Sequence, residues 1–134
     1  MSLIKEVGVL SCSGEECLGG TFARLATRKV MGKYPNQVVT LCLPLYVAGG
    51  QEEREFAKEY PVLTVEGCAE CCAKKATLKY SGEVRDTIVI SEIIGNDLAL
   101  STNISLRKLT DEHYKKIDDI ANEIEKRIKI ILSE

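Results

Sequence analysis

Four short β-like runs recur along the chain, and helical patterns separate them; this alternation constrains the fold more than any other feature. The runs are Glu6–Ser11, Gln37–Cys42, Val62–Glu66 and Asp86–Ser91, each rich in Val, Ile, Leu or Thr. The first and last read as near-continuous apolar stretches, the signature of strands buried on both faces of a parallel sheet. Between them, Thr21–Met31 sets Phe22, Leu25, Ala26 and Val30 on one stripe before Gly32 and Pro35. Gln51–Tyr60 is a charged helix with Phe56 and Ala57 inward, stopped by Pro61. Ala69–Tyr80 follows the third run directly, with Gly82 as its C-terminal cap. A last helix opens at Thr110, an N-cap, with Asp111 and Glu112 at the positive end of the dipole. Tyr114, Ile117, Ala121, Ile124, Ile128 and Ile131 give it an apolar stripe, which either covers the sheet or pairs two copies of the chain. The expected architecture is a three-layer, Rossmann-like α/β fold: a mostly parallel sheet of about four or five strands flanked by helices. One domain is expected over 1–134. Residues 92–109, with Gly95, Asn96 and Asn103, read as a broken connection containing one short helix or strand.

A chain of 134 residues buries about two-thirds of its unfolded surface and can hold a core without disulfide staples. Six cysteines beside one histidine therefore call for another explanation. Met1 to Glu6 lacks the apolar run and cleavage site of a signal peptide. The longest apolar stretch, Leu41–Ala48, is too short to cross a membrane and contains Pro44. A cytoplasmic address is expected, where thiols stay reduced and clustered cysteines point to metal or redox chemistry. The sequon Asn103-Ile-Ser105 then carries no meaning. A net charge of −2 argues against a nucleic-acid partner, and no membrane partner is expected.

The cysteines gather where the fold would place a ligand. Cys12 follows the first strand, and Cys17 lies in the loop behind it. Cys42 ends the second strand, and Cys68, Cys71 and Cys72 follow the third. In a parallel sheet all of these points lie at the carboxyl edge, where open α/β sheets bind their ligands. Cys42, within Val-Val-Thr-Leu-Cys-Leu, also reads as a core residue when taken alone. On a helix starting at Ala69, Cys68 and Cys72 share a face, while Cys71 points about 100° away from Cys72 and competes for the same role. Cys12, Cys42, Cys68 and Cys72 can supply a tetrahedral thiolate site from three strand ends, with Ser13, Gly14 and Gly67 lining it.

Three other chemistries fail on particular residues. Gly14-Glu-Glu-Cys-Leu-Gly-Gly-Thr21 resembles a phosphate loop, but Gly20 stands where lysine is needed, and Glu15 and Glu16 repel phosphate. A cysteine phosphatase needs arginine where Leu18 stands. The Cys68-Ala-Glu-Cys71 pair resembles a thioredoxin motif, yet the chain has no proline after Pro61 to face it. His113 is the lone imidazole and reads as a surface residue.

Cys12-Ser-Gly14, Leu41-Cys-Leu-Pro44 and Glu66-Gly-Cys-Ala-Glu-Cys-Cys-Ala-Lys-Lys75 resemble the DGC-type zinc-binding domain family, named for its Asp-Gly-Cys motif. The resemblance runs from Val7 to about Gly82 and implies an α/β sheet and zinc as cofactor. It places four zinc-binding cysteines on Cys12, Cys42, Cys68 and Cys72. The motif's aspartate is Glu66 here, the usual following proline is Ala69, and Cys17 and Cys71 are additional thiols. Four thiolates on Zn²⁺ make a closed centre of charge −2, which suits sensing or trafficking of metal better than hydrolysis. Thiol–disulfide or thiol-transfer chemistry at Cys68, resolved by Cys71 or Cys72, is the enzyme alternative. An iron–sulfur cluster on the same cysteines is the second alternative. The metal ion is the expected partner, with a homodimer through the last helix as a further one.

Overall fold

The computed structural model describes residues 5–103 and 107–134. The segment read for a signal peptide and two positions of the sequon thus lie largely outside the described residues. Four strands form one sheet: β1 (Val7–Ser11), β2 (Val38–Thr40), β3 (Val62–Glu66) and β4 (Asp86–Val89), in the order β2-β1-β3-β4. Every pairing is parallel, with Val9 opposite both Thr40 and Leu63, and Val65 opposite Ile88. All five residues of β1 and all five of β3 are buried, as expected of central strands in a covered parallel sheet. The strand at one edge, β2, has only three residues, a length that limits edge-to-edge pairing.

Side chains alternate between two cores, following the period of two along a strand. Val7, Val9, Leu63 and Val65 face one layer, where α1 (Leu18–Lys33) and α7 (Asp111–Leu132) lie. Leu10 and Val62 face the other, which holds α2 (Leu43–Ala48), α3 (Gln51–Glu59) and α4 (Cys72–Tyr80). The result is the three-layer, Rossmann-like arrangement expected of alternating strands and helices. Two short helices, α5 (Ile90–Ile94) and α6 (Asn96–Ala99), fill part of the connection before α7.

The last helix starts as its sequence dictates. Thr110 accepts a hydrogen bond from the His113 N–H at 3.3 Å, and His113 Nδ1 accepts one from the Thr110 N–H at 3.1 Å. His113, half-buried beside Phe22, is thus a capping residue as well as a boundary one. Ile117, Ile120, Ile124, Ile128 and Ile131 are buried against α1 and the sheet, so the stripe covers the sheet of its own chain. Tyr114 is exposed, and Ile120, outside the expected stripe, takes its place in the core.

Several boundaries differ from expectation. The first helix starts three residues early, at Leu18, and runs through Gly32 to Lys33. The second strand stops at Thr40 because Leu41 turns into the core and a helix follows at once. That helix, α2, lies within the apolar run 41–48, with Pro44 in its first turn, where a missing N–H costs nothing. The fourth strand ends at Val89 and passes directly into α5. The helix after the third strand, α4, begins at Cys72, not Ala69, and this change matters most for the site.

Candidate functional site

The connections out of β1 and β3 run in opposite directions. β1 leads through α1 to β2 at one edge; β3 leads through α4 to β4 at the other. Because α1 and α4 cover opposite faces, the carboxyl ends of β1 and β3 flank a topological switch point, where open α/β sheets form their ligand crevice. Cys12 and Cys17 lie on one side of it, and Cys68, Cys71 and Cys72 on the other. All six cysteines are free thiols.

Backbone packing brings the two loops against each other. A Cβ at Gly67 would lie 2.5 Å from the Gly20 nitrogen and 2.6 Å from the Gly19 carbonyl carbon. At Gly19 it would meet the Gly67 oxygen at 2.4 Å, and at Gly20 the Gly14 oxygen at 1.8 Å. The glycines that suggested a phosphate loop therefore serve this close approach. Glu15, the charge that argued against phosphate, pairs with Arg24 at 2.8 Å. The Gly67 N–H donates to Cys12 Sγ at 3.3 Å, joining the β1 loop to the β3 loop through a thiol.

Glutamates anchor the other two thiol-bearing segments. Glu66, the last residue of β3, is 1 % exposed, and its carboxylate accepts hydrogen bonds from the Ala73 N–H (3.0 Å) and the Lys74 N–H (2.8 Å). These are first-turn amides of α4 with no partner within the helix, so Glu66 caps α4 from the strand. Burial pushes the Glu66 carboxyl above its usual range, and the two amides and Lys74 oppose that shift. Glu53 on α3 accepts from the Cys42 N–H at 2.8 Å and so fixes the β2 loop. It lies in a charge run that reads as a solvated helix face; only its first-turn position in α3 hinted at a partner.

Among the described residues, two that are not glycine adopt left-handed backbone conformations, and both lie at this edge: Ser13 (φ 52°) and Cys71 (φ 53°). Such conformations cost energy and persist only where surrounding structure imposes them. Ser13 and Ser11 share a hydrogen bond at 2.5 Å between their hydroxyl oxygens. At Cys71 the left-handed backbone separates a turn at 68–71 from α4, so Cys68 and Cys72 do not share a helix face as expected.

The thiols differ in environment. Cys12 packs against both cores, and burial pushes its thiol up; the Gly14 and Gly67 amides oppose this, while Glu66 and Cys17 add to it. Burial also raises the Cys71 thiol, with Glu66 and Cys68 adding to the effect and Lys74 and Lys75 opposing it. Cys17 and Cys68 are half-buried. Cys42 caps α2 and is exposed, which overturns its reading as a core residue: Leu41 fills that place. Cys72 is also exposed. Of the expected lining residues, Gly14 and Gly67 meet Cys12 through their amides, and Ser13 lies in the same loop. The side chains are not gathered into a coordination shell: among the described residues, no group of three or more His, Cys, Asp or Glu could hold an ion. No helix there is long and apolar enough to cross a membrane.

The fold and this edge define a class: an open parallel α/β sheet whose switch point is built from thiol-bearing loops. The DGC domain model matches residues 8–117, most of the chain, and the chain belongs to that family. No curated protein and no solved structure matches it.

Proposed function

We propose that this protein binds zinc through Cys12, Cys42, Cys68 and Cys72 and serves in metal sensing or trafficking. The observation that carries the reading is the delivery of these thiols, on three strand-end loops, to one sheet edge. Membership of the DGC domain family is compatible with it. The donors fit the ion chemically, since thiolates are preferred ligands of Zn²⁺. Their present separation means that binding has to draw the exposed Cys42 and Cys72 toward the half-buried Cys12 and Cys68. The backbones of the three loops are held in place around the edge by Glu53, Glu66 and the Gly67–Cys12 hydrogen bond. Four thiolates outweigh the ion by two negative charges; Lys74 and Lys75 supply nearby positive charge, while the Glu66 carboxylate takes up the first-turn amides of α4. A full thiolate shell leaves no position for a reactive water.

Anaerobic purification followed by metal analysis, repeated with each cysteine changed to serine, tests the reading. One zinc per chain, lost or weakened in the serine variants at positions 12, 42, 68 and 72 but not 17, is expected. Iron with sulfide, or zinc binding indifferent to Cys12→Ser and Cys68→Ser, would overturn it.

A further inference from the structure

The four-residue turn from Cys68 to Cys71 pairs the motif cysteine, Cys68, with a thiol that the family motif does not explain, Cys71. We propose that Cys68 and Cys71 form a reversible disulfide by exchange with a low-molecular-weight disulfide, and that closing it withdraws Cys68 from the zinc-binding set. The second half of this rests on the zinc reading above.

The Cys71 N–H donates to the Cys68 carbonyl at 3.3 Å, so residues 68–71 close a turn. A turn of this kind brings its first and last Cα atoms within about 7 Å, and a disulfide spans about 4.4–6.8 Å between Cα atoms. Both ends of the turn are held. Gly67 is wedged against the start of α1 on one side, and Glu66 grips the first amides of α4 on the other. The left-handed backbone at Cys71 keeps it out of the helix and in the turn. The chain is therefore already turned back on itself between the two thiols before closure. Both thiols are half-buried, open enough for a small disulfide to reach. The neighbouring pairings are poorer. Cys72 belongs to α4, beyond the left-handed residue, and no turn hydrogen bond joins Cys12 to Cys17 among the described residues.

The exchange balances in two steps. One protein thiol, as its thiolate, attacks the small disulfide, forming a mixed disulfide and releasing one small thiol. The second protein thiol then attacks the mixed disulfide, forming the Cys68–Cys71 bond and releasing the second small thiol. The two protons from the cysteines end on the two released thiols; the protein loses two electrons and the small disulfide gains them.

The test treats the reduced full-length chain with oxidised glutathione, quenches by alkylation, maps the bonds by mass spectrometry, and measures zinc affinity before and after. Expected are a single Cys68–Cys71 bond and zinc affinity lower by about tenfold or more, both reversed by reductant. Cys71→Ser should bind zinc like the parent when reduced and form no internal bond with oxidant. A bond mapped to Cys12–Cys17 or any other pair overturns the proposal. So does a Cys68–Cys71 bond that leaves zinc affinity unchanged. A reduced protein that binds no zinc yet closes this bond overturns the zinc reading and supports the disulfide.

Discussion

Each residue of Glu66-Gly67-Cys68 has its own physical task. Glu66 caps α4 from the end of β3, Gly67 admits the backbone of α1, and Cys68 begins the turn that carries the thiols. Gly67→Ala forces a methyl group into backbone that cannot withdraw as a flexible side chain would. It should lower stability by about 1–3 kcal/mol in urea unfolding, and an unchanged midpoint would contradict the close approach. Glu66→Gln keeps the shape but sets an amide NH₂ against a backbone N–H. Losing one hydrogen bond to a charged, buried group should lower stability by about 1.5–3 kcal/mol in the same assay. The cysteines, the glycines and the motif were legible as types and spacings. Their partners were not, because Gly67 meets Gly19 and Glu53 meets Cys42 only after distant segments are brought together.

At the scale of elements, periodicity was a good guide to the buried faces and a weaker one to the ends. The β3 run and the Thr110 cap stand where the sequence puts them. Ala69 and Glu70 favour helix, yet the chain turns there because the Glu66 carboxylate captures the first-turn amides of Ala73 and Lys74 and sets the helix start at Cys72. The α2 helix was hidden in an apolar run too short for periodicity to separate strand from helix. Docking of α7 on α1 carries an acid-sensitive tie. Glu125 accepts hydrogen bonds from the Tyr34 hydroxyl at 2.6 Å and Lys33 Nζ at 3.2 Å. These bonds and one from Lys129 hold its carboxyl at about 2, below the ordinary 4.5. A carboxyl depressed in the folded state stabilises fully above its unfolded value and loses that contribution as it is protonated. Stability contributed by Glu125 should therefore be constant from pH 7 to 5 and fade from about pH 4.5 toward 2. Glu125→Gln should be less stable than the parent at pH 7, with the gap closing across that acid window in urea titrations. A gap independent of pH would contradict the tie.

For the whole molecule, strand–helix alternation was enough to anticipate the sheet and to bring six dispersed cysteines to its carboxyl edge. What alternation alone left open was the strand order, and hence the division of the thiols. The order β2-β1-β3-β4 puts the switch point between β1 and β3, so Cys12 and Cys17 face Cys68, Cys71 and Cys72 across it, while Cys42 approaches from the neighbouring edge strand. Zinc bridging these segments would tie three loops together, adding stability by mass action: about 2.7 kcal/mol when free zinc stands at a hundred times its dissociation constant. A melting temperature that rises with zinc in the parent but not in Cys42→Ser would show that the β2 loop takes part. The most direct measurement is X-ray absorption at the zinc edge of the loaded protein. Four sulfur neighbours at about 2.3 Å and no nitrogen or oxygen in the shell are expected. A shell with nitrogen or oxygen at about 2.0 Å, or with fewer than four sulfurs, would contradict it.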